Sequence, residues 1–416
     1  MTNHWRDIRH ADLILINGAN PAEAHPVGFQ WMVRAQIERG AKMIHADPRF
    51  TRTSAVADRH LRIRTGTDVA YFGGLINYVL QNNLYHRQYV EFATNAAFVV
   101  KEGYAFNDGL FNGFDPEKKV YNPAVWAYEL GPDGFAVQDI NSPRSVLNLL
   151  KAHYSRYTPE MVSSITGIPQ DQFLEVAKLV GETGKPDKVM TIVYAVGLTH
   201  HTTGVQIIRS GALLQLLLGN MGRPGGGMNA ERGHANIQGN TDHAISWDIL
   251  PGYLRIPAPG QRNLDDYVAQ SAARKWHANS LNFFGTNYRK FMVSLLKGWY
   301  GDAATPENQF LFDHVPKPAA DASWLSIFDQ ALQGKMEGLM LSGMTATSIG
   351  PDSNQVLQAL SNLKWLCVMD AFPTTSSEFW QAPGIDPANV QTEVFVLPAT
   401  HWIEKDGSFT NSGRWA

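Results

Sequence analysis

Residues 11–17 (ADLILIN) form a near-continuous apolar run that ends in Gly18. A short run without alternation predicts a strand buried on both faces, as in a parallel sheet. A helical period follows over 27–39, closed by Gly40, and a second buried strand over 42–46. The helical period returns over 68–80. Strand, helix, strand and helix at this spacing predict βαβ units and an α/β domain. Residues 103–142 break the rhythm with Gly, Pro, Asn and aromatics, and read as an insertion of loops with a hairpin. Order returns with helices over 146–154, 159–165 and 170–181, a buried strand over 188–196 and a helix over 204–218. Residues 245–320 read as irregular, apart from a basic amphipathic stretch over 288–300. A second α/β passage then follows, with strands over 338–341, 365–369 and 393–397 and a helix over 352–363. The expected division is 1–234 and 235–416, each an α/β half of Rossmann-like character.

Composition narrows the chemistry. The 416 residues include one cysteine, Cys367, which excludes an intramolecular disulfide. It also excludes a four-cysteine zinc site or a cysteine-ligated iron–sulfur cluster within this chain. With 35 basic against 38 acidic residues and a net charge of −3, wholesale nucleic-acid binding is not expected. Charged residues make up 18%, below the ~25% usual for soluble domains. Eleven Trp and 36 Gly suggest a well-packed protein with tight loops and a surface that something else covers. The N-terminus lacks the pattern of a signal peptide, and no stretch reaches the ~18 to 20 apolar residues of a membrane span. Both ends fall where a domain is expected to continue, so the chain is expected to be part of a longer protein.

Several short motifs carry candidate chemistry. Gly18, Asn20 and Glu23 lie at the end of the first strand, where open α/β sheets bind ligands. Asp47 and Arg49 follow the second strand, where an acidic residue can accept from a ribose hydroxyl or a purine amino group. Gly66, Thr67 and Asp68 open a helix; the carboxylate is either a plain cap or an acceptor for the N–H edge of guanine. Gly197, Thr199 and His200 sit between a strand and a helix, and serve either as polar caps or as hydrogen-bonding groups for a large polar cofactor. The loop over 219–242 is rich in glycine and holds Arg232, His234, Asn236 and Gln238 among apolar anchors Met221, Met228 and Ile237. A loop this long is functional or disordered, and the anchors argue for function. Arg232 can fork onto a small carboxylate or phosphate. The G-x-G-x-x-G fingerprint of NAD sites and the Walker G-x-x-x-x-G-K-S/T are both missing.

Together the segments INGANPAEAHPVGF, HADPRFTRTSAVAD, RTGTDVA, GLTHHTTG, QLLLGNMGRPGGGMNAERGHANIQGNTD, VFVLPAT and EKDGSFTNSGRW resemble the catalytic subunit of molybdenum- or tungsten-dependent formate dehydrogenases. These belong to the molybdopterin oxidoreductase family related to dimethyl sulfoxide reductase. The RGHANIQGNTD form and the insertion are most similar to the respiratory, membrane-associated type. The resemblance implies two Rossmann-like molybdopterin-dinucleotide-binding domains with parallel sheets flanked by helices. It implies oxidation of formate to carbon dioxide at Mo or W held by a bis(molybdopterin guanine dinucleotide).

In this resemblance Arg232 binds and orients formate, with His234 beside it. Gly18, Asn20, Glu23, Asp47, Arg49, Gly66, Thr67 and Asp68 line one dinucleotide, and Gly197, Thr199 and His200 another cofactor-lining segment. Gly343, Asp370 and Thr374 fall where the second half meets the other dinucleotide, although Gly343-Met344-Thr345-Ala346 replaces the family's usual G-x-N-P. The metal's selenocysteine or cysteine ligand and the iron–sulfur cysteines are expected upstream of Met1, beyond a UGA codon read as a stop. An iron–sulfur electron-transfer subunit, a membrane cytochrome subunit and a periplasmic location are implied in the same way. The alternatives are a cytosolic NAD-linked formate dehydrogenase, a nitrate reductase, or a cofactor-binding fragment without activity.

Overall fold

The computed structural model describes the whole chain except Asp108, His234, Ala235, Asn236, Ile245, Trp247, Phe409, Thr410, Arg414 and Ala416. Of Ile237, Gly239, Asn240 and Phe283 it describes the backbone alone. The chain forms two units. The first comprises Met1–Gly239, Arg274–Asn282 and Thr410–Ala416, the second Asn240–Ala273 and Phe283–Phe409.

The first unit is built on five parallel strands: β1 (Leu13–Asn17), β2 (Lys42–Ala46), β3 (Arg59–Leu61), β4 (Met190–Tyr194) and β5 (Met228–Ala230), in the order β3-β2-β1-β4-β5. The apolar run of β1 is explained by burial on both faces. Ile14 and Ile16 pack with Met32 and Ala35 of helix α1 (Pro26–Arg39), while Leu13 and Leu15 face the opposite core. That opposite core is filled by helices α2 (Asp68–Gln81), α3 (Val146–Tyr154), α4 (Pro159–Thr166), α5 (Gln170–Glu182) and α6 (Gly204–Leu217). Gly40 ends α1 in the left-handed conformation, φ 66°, which suits a glycine cap.

Two strands were hidden from the hydrophobic pattern. β3 is Arg-His-Leu at the sheet edge, with only Leu61 fully buried. β5 lies inside the segment expected to be loop. Its neighbour Gly227 has φ 86°, so the glycine turn delivers Met228, Asn229 and Ala230 into the sheet. Gln215 of α6 ties this turn to β4. Its side-chain NH2 donates to the carbonyls of Met190 (2.9 Å) and Gly227 (2.7 Å), and its oxygen accepts from Asn220 (3.1 Å). Gln215→Leu, similar in volume, leaves these groups unpaired in the core. It is expected to lower the stability of this unit by about 2–4 kcal/mol, read as a lower urea midpoint at unchanged slope.

The insertion holds two short hairpins, Phe106–Asn107 with Leu110–Phe111 and Phe114–Asp115 with Val120–Tyr121. The second unit carries a parallel sheet β6 (Gly338–Ser342), β7 (Trp365–Asp370) and β8 (Glu393–Pro398), in that order. Helices α8 (Trp324–Leu332) and α9 (Ser353–Ser361) pack Phe328, Val356 and Leu360 against Leu341, Leu366 and Val368. The stretch expected to be irregular contains helices Leu264–Ser271 and α7 (Tyr288–Tyr300) around a separate core of Leu254, Tyr267, Tyr288, Met292 and Phe312. Its short elements are joined by turns, so no single period runs long enough to be read. No helix among the described residues is long and apolar enough to cross a membrane.

Candidate cofactor and anion site

In the first unit's sheet the strand order reverses between β1 and β4, and a cleft of about 420 Å³ opens at the carboxyl ends there. This is the position where doubly wound sheets bind ligands, and the volume falls within the range of ~300–1,000 Å³ of cofactor sites. Its base is a close backbone approach. The Gly197 N–H donates to the Gly18 carbonyl at 3.0 Å, and a Cβ on Gly197 would lie 2.5 Å from the Gly18 Cα. Gly18 itself has φ 58°, so glycine is required there for its conformation as well.

Of the residues expected to bind cofactor, Gly18, Asn20, Asp47, Arg49, Asp68, Gly197 and His200 line this cleft. Four do not. Glu23 pairs with Arg52 at 3.6 Å, Thr67 donates to the Arg64 carbonyl at 2.7 Å and Thr199 to the Val196 carbonyl at 3.2 Å. Gly66 shapes the turn, with φ 82°. Thr67 and Thr199 thus spend their hydroxyls on local backbone carbonyls, and Glu23 its carboxylate on an arginine. Thr65 and His201 also line the cleft, although the sequence did not single them out as ligands. His201 was legible as the second of an adjacent histidine pair.

The wall of the cleft is stiffly held. His45, fully buried in β2, donates from Nε2 to the Ala19 carbonyl (2.9 Å), and its Nδ1 meets Ser54 Oγ at 2.8 Å. A carbonyl can only accept, so Nε2 carries the proton. Burial holds the His45 pKa below its usual value. Asp47 accepts the Arg49 N–H at 2.8 Å, and Asn20 accepts from Thr53 Oγ1 at 2.8 Å.

The donor and acceptor set fits a purine nucleotide. Burial pushes the Asp68 carboxyl above the usual range, with Asp47 acting in the same direction and His201 opposing it. Among the described residues no lysine or arginine pairs with Asp68 or Asp47. Asp47 and Asp68 are thus carboxyl acceptors lining the cleft, which suits a ligand that presents N–H donors there.

Arg232 lies elsewhere in the same unit, just past β5. Its N–H donates to Ser412 Oγ (3.0 Å), and its carbonyl accepts from His25 Nε2 (2.9 Å) and Ser412 Oγ (3.1 Å). The guanidinium carbon sits 5.8 Å from the Tyr194 ring centre. The backbone is therefore clamped from two directions while the guanidinium enters no ion pair among the described residues. His234 and Asn236 lie outside the described residues.

In the second unit, Gly343 and Asp370 fall at the carboxyl ends of β6 and β7. Gly343 has φ 61°, its N–H donates to the Met369 carbonyl at 2.8 Å, and Asp370 accepts the Ala371 N–H at 2.7 Å. Thr374 is engaged with Ser377 in a turn. Beside it the hydroxyls of Thr347, Thr375 and Ser376 form a cluster, Thr347 to Thr375 at 2.7 Å and Thr347 to Ser376 at 3.1 Å. The sequence reading missed this cluster. Its only signal is the hydroxyl run Thr374-Thr375-Ser376-Ser377 after a strand.

The chain belongs to the molybdopterin oxidoreductase family, whose profile matches residues 1–415. It is 46% identical over 419 aligned residues to the formate dehydrogenase 2 subunit alpha (cytochrome c-553) of Nitratidesulfovibrio vulgaris. It is 47% identical over 421 aligned residues to the formate dehydrogenase-O major subunit of Escherichia coli K12. Each alignment covers 100% of this chain and 41% of the relative. Among solved structures, acetylene hydratase from Pelobacter acetylenicus covers 97% of the chain and 44% of its own, with a TM-score of 0.48 and 17% identity.

Proposed function

We propose that this chain forms the cofactor- and formate-holding part of a formate dehydrogenase catalytic subunit that oxidises formate to carbon dioxide. The observation that carries this reading is the similarity to formate dehydrogenase subunits along the entire chain, 46% and 47% identical. A bis(molybdopterin guanine dinucleotide) would supply Mo or W as the two-electron acceptor. Asp47 and Asp68 would accept the N–H edge of one guanine, with Arg49 near its phosphates and Gly18 and Gly197 admitting the ligand to the backbone. His200 and Asn20 would hydrogen-bond it, while Glu23, Gly66, Thr67 and Thr199 would shape the surrounding turns. Gly343, Asp370 and Thr374, with the neighbouring hydroxyls, would meet the second dinucleotide. Arg232 would fork onto the formate carboxylate and aim its C–H bond, with His234 adjacent.

By the same resemblance, electrons would leave through iron–sulfur clusters to an electron-transfer subunit and a membrane cytochrome, with the enzyme in the periplasm. A selenocysteine or cysteine ligand and a cluster would lie in the longer protein. The test is direct. The purified protein is expected to release guanine nucleotide on acid extraction, together with Mo or W. Asp68→Asn removes an acceptor and presents a donor to the guanine edge, and is expected to lower nucleotide content at least tenfold, about 1.4 kcal/mol or more. Undiminished nucleotide in that variant would remove Asp68 from the site.

A further inference from the structure

Glu231 is the residue immediately before Arg232, and its side chain is wholly buried. Among the described residues neither carboxyl oxygen has a hydrogen-bond partner, and neither does Nδ1 of His25, which faces Glu231 Oε2 at 3.8 Å. Three buried polar atoms of this pair are thus unsatisfied by any described residue. The other ring nitrogen of His25 constrains the proton arrangement. Nε2 bonds the Arg232 carbonyl, which only accepts, so Nε2 carries a proton, and in the neutral ring Nδ1 presents a lone pair toward the carboxyl. A carboxylate facing that lone pair would repel it; a carboxylic acid can donate to it after a closure of about 1 Å.

We infer that Glu231 and His25 are positioning residues for Arg232: Glu231, as the carboxylic acid, donates to His25 Nδ1, and His25 donates from Nε2 to the Arg232 carbonyl. This deepens, and rests on, the assignment of Arg232 as the formate anchor. The chain of donors joins positions 207 residues apart in sequence, from the turn ahead of α1 to just past β5. It clamps the Arg232 backbone and keeps the neighbouring carboxyl uncharged. An ionised Glu231 would compete with the substrate anion for the Arg232 guanidinium and repel it. The other groups facing the pair are Tyr194, whose ring lies near the guanidinium, Trp5, with its ring 5.6 Å from that of His25, and the Ser412 hydroxyl. Burial alone pushes the Glu231 carboxyl well above the ordinary range, in accord with the protonated form.

The sign of the pH dependence follows. The folded protein keeps the Glu231 proton at a pH where the unfolded chain, near its ordinary value of ~4.3, has lost it. Stability is therefore lost as pH rises from that value to the folded midpoint. Glu231→Gln retains a donor and cannot ionise. Its melting temperature relative to the unmodified protein is expected to be similar near pH 4 and to rise progressively above it.

The deciding experiment is NMR on the protein with labelled histidine and glutamate across about pH 5–9, followed by formate titration of the protein and of Glu231→Gln, His25→Gln and His25→Ala. Expected are a His25 protonated at Nε2 with Nδ1 accepting, and a Glu231 carboxyl that titrates well above ~4.3. Formate affinity is expected to fall about tenfold or more as pH passes that midpoint, and to stay level in Glu231→Gln. His25→Gln, which keeps a donor for the Arg232 carbonyl, is expected to bind formate better than His25→Ala. A proton on Nδ1, or a Glu231 midpoint in the ordinary range, overturns the pair. Formate affinity with the same pH profile in Glu231→Gln as in the unmodified protein overturns its positioning role. The proton assignments need no formate, so absence of formate binding with those assignments intact counts against the formate reading of Arg232 instead.

Discussion

Arg232→Ala is expected to lower kcat/KM for formate by about 10³-fold in the enzyme that carries this chain, about 4 kcal/mol of transition-state stabilisation. Formate offers a protein no handle but its carboxylate, and a guanidinium matches that group with two parallel N–H donors. The clamp on the Arg232 backbone from His25 and Ser412 would hold the proposed fork in place before substrate arrives. Arg232→Lys keeps the charge and loses the fork, so it is expected to fall between the two. Nucleotide and metal content should stay unchanged, because Arg232 does not line the cleft at the switch point. A rise in KM at constant kcat would assign Arg232 to ground-state binding alone. Unchanged turnover would remove it from the site.

The parts of this fold that were legible in sequence are those where one physical requirement covers a whole element. The run before Gly18 reads as a doubly buried strand because both of its faces do pack, one on α1 and the other on α2 and α6. The period of α2 is legible for the same reason, with buried apolar residues along its length. β3 carries no such signal, since an edge strand of Arg59, His60 and Leu61 needs one apolar contact. β5 is obscured by the glycines that let it enter the sheet.

The candidate site divides in the same way. Gly18, Asp47 and Asp68 could be read because they sit at strand ends and helix starts, positions that chain order alone predicts. Glu231 could not. An acidic residue beside an arginine reads as solvated, and only the fold shows that its side chain is shut away with His25 from the far end of the unit. The hydroxyl cluster around Thr347 depends on the short helix Ala346–Ile349 meeting a loop distant in sequence, which no local period encodes.

Gly197→Ala is expected to destabilise the first unit by about 3 kcal/mol or more. The added Cβ would fall 2.5 Å from the Gly18 Cα and 2.6 Å from its carbonyl oxygen, both backbone atoms. Neither can retreat. The Gly18 carbonyl accepts from Gly197, its N–H donates to Ala46, and β1 is paired on both sides by β2 and β4. Relief would have to come from parting β1 and β4 at their carboxyl ends, which widens the switch-point crevice. Nucleotide content should therefore fall along with the urea midpoint. Gly40→Ala provides the comparison. Gly40, unlike Gly197, has positive φ, 66°, but nothing lies within 4 Å of its Cβ position, so its cost is conformational only, about 1 kcal/mol. Equal losses in the two variants would mean that the close passage of the two loops adds nothing to stability. A Gly197→Ala protein much less stable than Gly40→Ala, and poorer in nucleotide, would place that passage at the centre of cofactor retention.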